Sequence, residues 1–139
     1  MDRKLGGVIA VAALALFASP AFSMSVESYM ALRDSVTAAM TKEEREIASH
    51  TLSAYFQGVG ETLENLEMAG VINASGAKIC KAKSVRLRGD LVRAAADAEI
   101  VRWQDGTRDI KIIPDWKNRT VSEFAVFGLT VMFPCASPH

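Results

Sequence analysis

The sequence predicts a small all-α domain of four helices, or slightly more, held by one disulfide and preceded by a cleaved signal peptide. Apolar residues recur at intervals of three and four over four separate stretches. These stretches are bounded by helix-capping residues, glycines or prolines. Only two cysteines are present, Cys80 and Cys135, and two cysteines in an exported chain are expected to pair.

Residues 1–23 have the composition of a secretory signal peptide. Two basic residues near the start precede an apolar run at residues 5–17, which is short for a membrane span. We expect cleavage after Ser23, or alternatively after Ala21, and an uncleaved anchor is the competing interpretation. Cleavage leaves a single domain, residues 24–139, with 14 basic and 15 acidic residues. This balance gives no bulk attraction to nucleic acid or to an anionic membrane.

The first two helices are predicted at residues 25–39 and 42–69. The first presents an apolar face formed by Tyr29, Leu32 and Val36. Thr41 and Glu44 form a capping box that begins the second helix. Its apolar stripe consists of Leu52, Tyr55, Val59, Leu63 and Leu66.

Gly58 and Gly60 lie inside the second predicted helix. Each glycine costs about 1 kcal/mol relative to alanine in a helix, so a compensating role is expected. Close approach of a neighbouring helix is one such role, and contact with a partner is the alternative. Gly70 follows as the expected left-handed cap.

A loop is predicted at residues 71–83, and Ser84 is expected to cap a third helix at residues 85–103. Basic residues cluster across the loop and the helix start, namely Lys78, Lys81, Lys83, Arg86 and Arg88. A solvated surface is the ordinary explanation for such a cluster. The functional alternative is a patch complementary to an acidic partner surface.

The helical period lapses at residues 107–119. Ile110, Ile112 and Ile113 before Pro114 predict an extended segment, because a residue that precedes proline avoids the helical region. Long connections of this kind are often functional. The last helix is then predicted from a capping box of Thr120 and Glu123, and Pro134 ends it.

No acid, base and nucleophile set can be assembled from the sequence, so we expect no enzymatic activity. His50 has no metal ligand at paired spacing, and it is interpreted as a surface or core-edge residue. Glu61, Glu64 and Glu67 are explained better as a solvated helix face than as paired catalytic carboxylates. Two cysteines 55 residues apart do not have the spacing of zinc ligands. Neither a metal nor a cofactor is therefore expected.

Three stretches together resemble a known family. They are Tyr55-Phe56-Gln57-Gly58-Val59, then Ile79-Cys80 followed by Leu87 and Leu91-Val92, and finally the predicted helix 121–132 closed by Phe133-Pro134-Cys135. In order and spacing, these stretches resemble the Rap/Tai immunity proteins of type VI secretion. The resemblance covers residues 49–135, and its Phe-Pro-Cys ending is matched outright.

The resemblance implies a small, exported, helical protein of the bacterial periplasm. Members of the family bind a cell-wall amidase delivered by a neighbouring cell, block its active-site cleft and are often dimers. The disulfide pair Cys80 and Cys135 and the helix glycine Gly58 carry over to this sequence. The implied function is a periplasmic immunity protein whose partner is a secreted peptidoglycan amidase.

Two other classes compete with this interpretation. One is an acid-stress chaperone similar to the small HdeA-type proteins, but the tail at residues 136–139 lacks the charge that such a chaperone would use. The other is an accessory protein of envelope assembly, conjugation or secretion. The genes beside this one would discriminate, because a toxin-like neighbour favours immunity and a transfer or pilus operon favours an accessory role.

An inhibitor needs a protruding, fairly rigid segment to fill a cleft. We predict that the 107–119 connection is this segment, with Trp116 as anchor and Arg108 or Arg119 beside it, because aromatic residues and arginines are the usual anchors. In the alternative, Trp116 covers the core between the third and fourth helices. Lys78, Lys81 and Lys83 form a second candidate contact, which would act mainly on the association rate.

Overall fold

Among the residues that the structure describes, the regular structure consists of four α-helices and one short 3-10 helix. The structure is a computed structural model, and it describes residues 23–38, 41–68 and 78–135. Residues 1–22 of the expected signal peptide, Gly70 and residues 71–77 of the predicted loop lie outside these ranges. The elements are α1 (Val26–Ala38), α2 (Lys42–Met68), α3 (Gly89–Gln104), the 3-10 helix Trp116–Asn118 and α4 (Val121–Met132). Within those ranges the only β pairing is an isolated antiparallel bridge between Ser25 and Thr120. The predicted all-α class is confirmed.

Helices α3 and α4 form an antiparallel hairpin at the centre of the fold. Near one end the rings of Trp103 and Phe124 are 5.8 Å apart. Further along, α4 lies so close that a Cβ built on Gly128 would collide with the carbonyl oxygen of Ala95. The chain thus runs down α3 and back along α4, and the two backbones approach closely because Gly128 has no side chain.

Helix α2 packs across α3, and α1 closes the core beside it. The phenol of Tyr29 on α1 packs edge-to-face on Phe56 of α2, with ring centroids 5.5 Å apart. The same phenol donates a hydrogen bond to Asp97 on α3 at 2.7 Å and accepts one from Arg93 at 3.2 Å. The largest fully buried side chains come from all four helices, namely Tyr29, Phe56, Phe124, Leu52, Ile100, Leu129, Glu99, Val26, Val92 and Val121.

The two glycines of α2 differ in their surroundings. A Cβ on Gly60 would collide with the carbonyl oxygen of Leu87, so the segment leading into α3 passes directly over Gly60. The predicted close approach is present here: the nearest neighbour is the loop segment at Leu87, and the side chain of Val92 on the neighbouring helix α3 lies 3.3 Å from the same Cβ position. No described atom lies near a Cβ placed on Gly58, so the prediction of close approach is wrong for Gly58.

Helix α3 begins at Gly89, four residues later than predicted, and its N-cap is Arg88 and not Ser84. The reason lies in α2. The backbone N–H of Leu87 donates to Oε1 of Glu64 at 2.7 Å, and that of Gly89 donates to Oε1 of Gln57 at 3.1 Å. These side chains of α2 hold the preceding residues in an extended path and bind an N–H group at the start of α3.

The predicted disulfide is present and joins the segment before α3 to the residues that follow α4. Cys80 and Cys135 are bonded with a Cα–Cα separation of 4.9 Å, and the N–H of Cys80 donates to the carbonyl of Phe133 at 3.0 Å. Both predicted capping boxes are also confirmed, at Thr41 with Glu44 and at Thr120 with Glu123. In the described ranges, none of the helices combines the length and apolar character that a membrane crossing requires.

Candidate binding surfaces

The connection between α3 and α4, residues 105–119, is a series of turns and not the extended segment that was predicted. We call it the connecting loop. Asp105 accepts a hydrogen bond from the N–H of Thr107, and Asp109 accepts one from the N–H of Lys111, both at 2.9 Å. Such aspartate turns compete well with extended backbone. Gly106 adopts φ 79°, a left-handed conformation that glycine enters without strain.

A buried carboxylate fixes the base of the connecting loop. Glu99 on α3 is only 1% exposed. Its two oxygens accept hydrogen bonds from Nε and Nη2 of Arg108 at 2.7 and 3.1 Å. They also accept bonds from Arg102 at 2.7 Å and from the indole N–H of Trp103 at 3.1 Å. The loop is therefore held to α3 by a charge-assisted, bidentate contact.

The position of Glu99 has two opposing effects on its pKa. Burial raises the pKa, because it penalises the charged form, but hydrogen bonds from Arg108 and Arg102, the charge of Arg108 and the hydrogen bond from Trp103 lower it. The balance leaves the pKa of Glu99 below its ordinary value. Glu99 is thus an ionised residue in a structural role, and Arg108 is occupied by it.

Trp116 is a core residue and not an exposed anchor. It is 4% exposed, and its ring lies 6.1 Å from that of Trp103 and 5.9 Å from that of Phe124. The ammonium of Lys117 lies over its ring at 5.8 Å from the centroid. The interpretation of Trp116 as the anchor is corrected to the alternative, in which it covers the core between α3 and α4.

Arg119 is engaged within the fold as well. Its Nη2 donates to Oε1 of Glu123 at 2.7 Å, and its carbonyl accepts the N–H of Val26 at 2.9 Å. The guanidinium is half exposed and remains able to meet a partner, but the backbone belongs to the junction of α1 and α4. Neither predicted arginine therefore stands beside an exposed aromatic ring.

The connecting loop instead presents two isoleucines to solvent. Ile110 is 54% exposed and Ile112 is 75% exposed, whereas Ile113 packs against the core. The N–H of Ile112 donates to the carbonyl of Asp109 at 3.0 Å, so both side chains project from one hydrogen-bonded turn. Sequence reasoning named these isoleucines but ranked Trp116 above them. One sequence feature could have indicated that they are exposed: Ile110 and Ile112 lie on either side of Lys111 and close to the turn-forming Asp109.

A second surface lies at residues 78–88, which we call the basic segment. Lys78 and Lys83 are exposed, and Lys81 is half buried. Arg86 pairs with Glu64 at 3.4 Å and Arg88 with Asp90 at 3.3 Å. The structure thus brings the predicted lysines together as a non-helical strip ahead of α3.

The two surfaces lie at opposite ends of the α3–α4 hairpin. The basic segment enters α3 and is tied to the end of α4, whereas the connecting loop joins the other ends of the same helices. Helix α3 has 16 residues and is therefore about 24 Å long. A narrow cleft on one partner cannot hold both surfaces at once.

The remaining candidates for chemistry are dispersed. His50 is exposed on α2, Glu61 accepts a hydrogen bond from Gln57 at 2.9 Å, and Glu64 is occupied by the N–H of Leu87. The described parts of the chain contain no group of three or more histidine, cysteine or acidic residues placed to hold a metal ion. Of these candidates, the described residues His50, Glu61 and Glu64 do not form a shared site.

The described residues form a small helical domain with one disulfide. It presents an exposed turn with two isoleucines at one end and a basic strip at the other. No protein-family model, curated protein or solved structure matches this chain.

Proposed function

We propose that this protein is a periplasmic immunity protein that binds and inhibits a secreted peptidoglycan amidase. The sequence supports the proposal through its resemblance to the Rap/Tai family in the YFQGV stretch, around Cys80 and in the Phe-Pro-Cys ending. The single structural observation that carries it is Ile112, which is 75% exposed at the tip of a hydrogen-bonded loop.

The connecting loop has the properties of a segment that enters a cleft. Its base is fixed by Arg108 and Glu99, and Ile113 packs against the core behind the tip. A loop that is already ordered loses little conformational freedom on binding, so more of its contact energy appears as affinity. Active-site clefts are concave and largely apolar, which suits the two isoleucines that project on either side of Lys111.

Ile112, and not Trp116, is therefore the proposed anchor. An aliphatic side chain that becomes fully buried at an interface contributes about 1.5–3 kcal/mol. Replacing Ile112 with aspartate removes that contribution and places a charge in the cleft. The substitution should leave the fold intact, because the side chain has few contacts within the chain.

The test measures inhibition of purified type VI peptidoglycan amidases, including any encoded beside the gene, as release of peptide from sacculi. Ile112→Asp should raise the concentration needed for half inhibition by at least about tenfold, the equivalent of 1.4 kcal/mol. Ile47→Asp is the matched control, because Ile47 on α2 is 45% exposed and lies outside the loop. It should inhibit as the wild type does.

Two results would count against the proposal. If the wild-type protein inhibits no such amidase, the immunity function is wrong, and an accessory role in the envelope or an acid-stress chaperone takes its place. If the wild type inhibits and Ile112→Asp inhibits equally well, the function stands but the loop is not the inhibitory segment. Thermal unfolding of both variants checks that neither result comes from a misfolded protein.

A further inference from the structure

The basic segment carries positive charge that the fold does not neutralise. Its eleven residues include five lysines and arginines and no acidic residue. Glu64 and Asp90 face Arg86 and Arg88, whereas Lys78 and Lys83 have no ion pair with any described residue. The chain as a whole has equal numbers of basic and acidic residues, so this surplus is a local feature and not a consequence of composition.

The segment is held in a fixed path although it is not helical. The disulfide ties Cys80 to Cys135, and the N–H of Val85 donates to the carbonyl of Ala82 at 2.9 Å. Further on, the N–H groups of Leu87 and Gly89 are bound by Glu64 and Gln57 of α2. The backbone that carries the lysines is thus ordered before any partner arrives, which lowers the cost of binding.

The large apolar residues of the segment face inward. Leu87 is buried in the core, Ile79 packs against the core and Val85 is half buried. Stable attachment to a membrane surface needs a second, hydrophobic signal beside a basic patch, and this segment has none to insert. The long exposed side chains of the strip are all cationic, and only the small residues Cys80, Ala82 and Ser84 are exposed between them, which suits contact with a folded, acidic surface.

We propose that the basic segment is a second docking surface, which binds an acidic surface of a protein partner through Lys78, Lys83 and their neighbouring cations. It lies at the end of the hairpin opposite to the connecting loop, so it meets the partner outside any cleft that the loop enters. Clustered exposed lysines steer association and add little to the strength of the final complex. At physiological salt the segment therefore acts mainly on the association rate of a folded partner. At low salt, where charges are screened little, the same attraction is strong enough to hold an acidic chain by itself.

A direct test uses fluorescein-labelled poly-L-glutamate as the acidic probe, with fluorescence anisotropy at about 20 mM and about 300 mM sodium chloride. The wild-type protein should bind at low salt and release the probe at high salt. Lys78→Glu/Lys83→Glu should weaken binding at low salt by at least about tenfold. Lys42→Glu/Arg45→Glu changes the net charge equally at exposed basic residues of α2, outside both surfaces, and it should stay within about twofold of the wild type.

Each other outcome overturns the proposal. No binding by the wild type at low salt, or equal loss in both double variants, would mean that the segment is an ordinary solvated surface. Tighter binding to phosphatidylglycerol vesicles than to the probe, lost in Lys78→Glu/Lys83→Glu, would make the target a membrane. Ile112→Asp should bind the probe normally, so this test succeeds or fails independently of the proposed amidase inhibition.

Discussion

The carboxylate of Glu99 and the guanidinium of Arg108 meet at 2.7 and 3.1 Å across the turn that ends α3. Glu99 is buried and its position is set by the helix, whereas Arg108 belongs to the connecting loop. The pair thus fixes the loop to the core and positions the turn that carries Ile110 and Ile112. A buried carboxylate held by two guanidiniums and an indole also makes the fold sensitive to acid.

The first prediction concerns pH. Because the pKa of Glu99 is lower in the folded than in the unfolded protein, its ionised form stabilises the fold at every pH above the unfolded value of about 4.3. That stabilisation is lost as the pH falls through the lower, folded pKa. Glu99→Gln should cost about 2 kcal/mol at pH 7, since it removes hydrogen bonds between charged groups. Its unfolding free energy should then depend less on pH in the acid range, as measured by urea denaturation.

The control for this prediction is Glu43→Gln, at an exposed position in the first turn of α2. It removes the same charge and should change the unfolding free energy by no more than about 0.5 kcal/mol. If Glu99→Gln keeps the full acid sensitivity of the wild type, other carboxylates govern it and the proposed role of Glu99 is wrong.

The second prediction concerns Trp116, whose ring packs with those of Trp103 and Phe124. Trp116→Ala removes a large side chain from a closed core, so it should lower the unfolding free energy by about 3 kcal/mol or more. Trp116→Phe keeps an aromatic ring in place and should cost less. Chemical denaturation monitored by circular dichroism measures both. A folded Trp116→Ala variant with unchanged stability would show that the ring does not close the core.

The helices could be predicted from the sequence because their signals are local. The capping boxes at Thr41 and Thr120 and the apolar stripe of α2 depend on residues within a few turns of each other. The start of α3 could not be predicted in this way. It depends on Gln57 and Glu64, which bind the N–H groups of Gly89 and Leu87 from another helix.

The candidate site was predicted only in part, for a related physical reason. Residues 107–119 have no periodicity, so the sequence does not indicate which of their apolar side chains face the core. Trp116 and Ile112 look equally available in the sequence, and only the packing of Trp116 with Trp103 and Phe124 separates them. The lysines of the basic segment were found because charge clusters are visible without any knowledge of packing.

The third prediction compares two glycines of α2. A Cβ at Gly58 meets no atom of the described residues within 4 Å, so Gly58→Ala should stabilise the protein by about 0.5–1 kcal/mol through helix propensity. A Cβ at Gly60 would collide with the backbone of Leu87, and Gly60→Ala should therefore destabilise it. Thermal unfolding of the two variants should give shifts of opposite sign. Equal stabilisation by both would show that the segment before α3 does not pass over Gly60.

The fourth prediction concerns the disulfide, which closes a loop with a sequence separation of 55 residues. The chain-entropy model gives such a bond about 4 kcal/mol of stabilisation. Cys80→Ser/Cys135→Ser should lower the unfolding free energy by about 2–4 kcal/mol in urea denaturation. Alkylation of the native wild-type protein followed by mass spectrometry should detect no free thiol, and two alkylated cysteines would contradict the pairing.

The double variant without the disulfide also tests which contacts hold each end of the basic segment. The N–H of Cys80 is bound to Phe133 beside the disulfide, whereas the N–H groups of Leu87 and Gly89 are bound by side chains of α2. Without the disulfide, hydrogen exchange should become faster at residue 80, while Leu87 and Gly89 keep protection in proportion to global stability. If exchange accelerates equally at all three amides, and by more than the loss of global stability explains, the contacts with α2 are not sufficient to hold the segment without the disulfide.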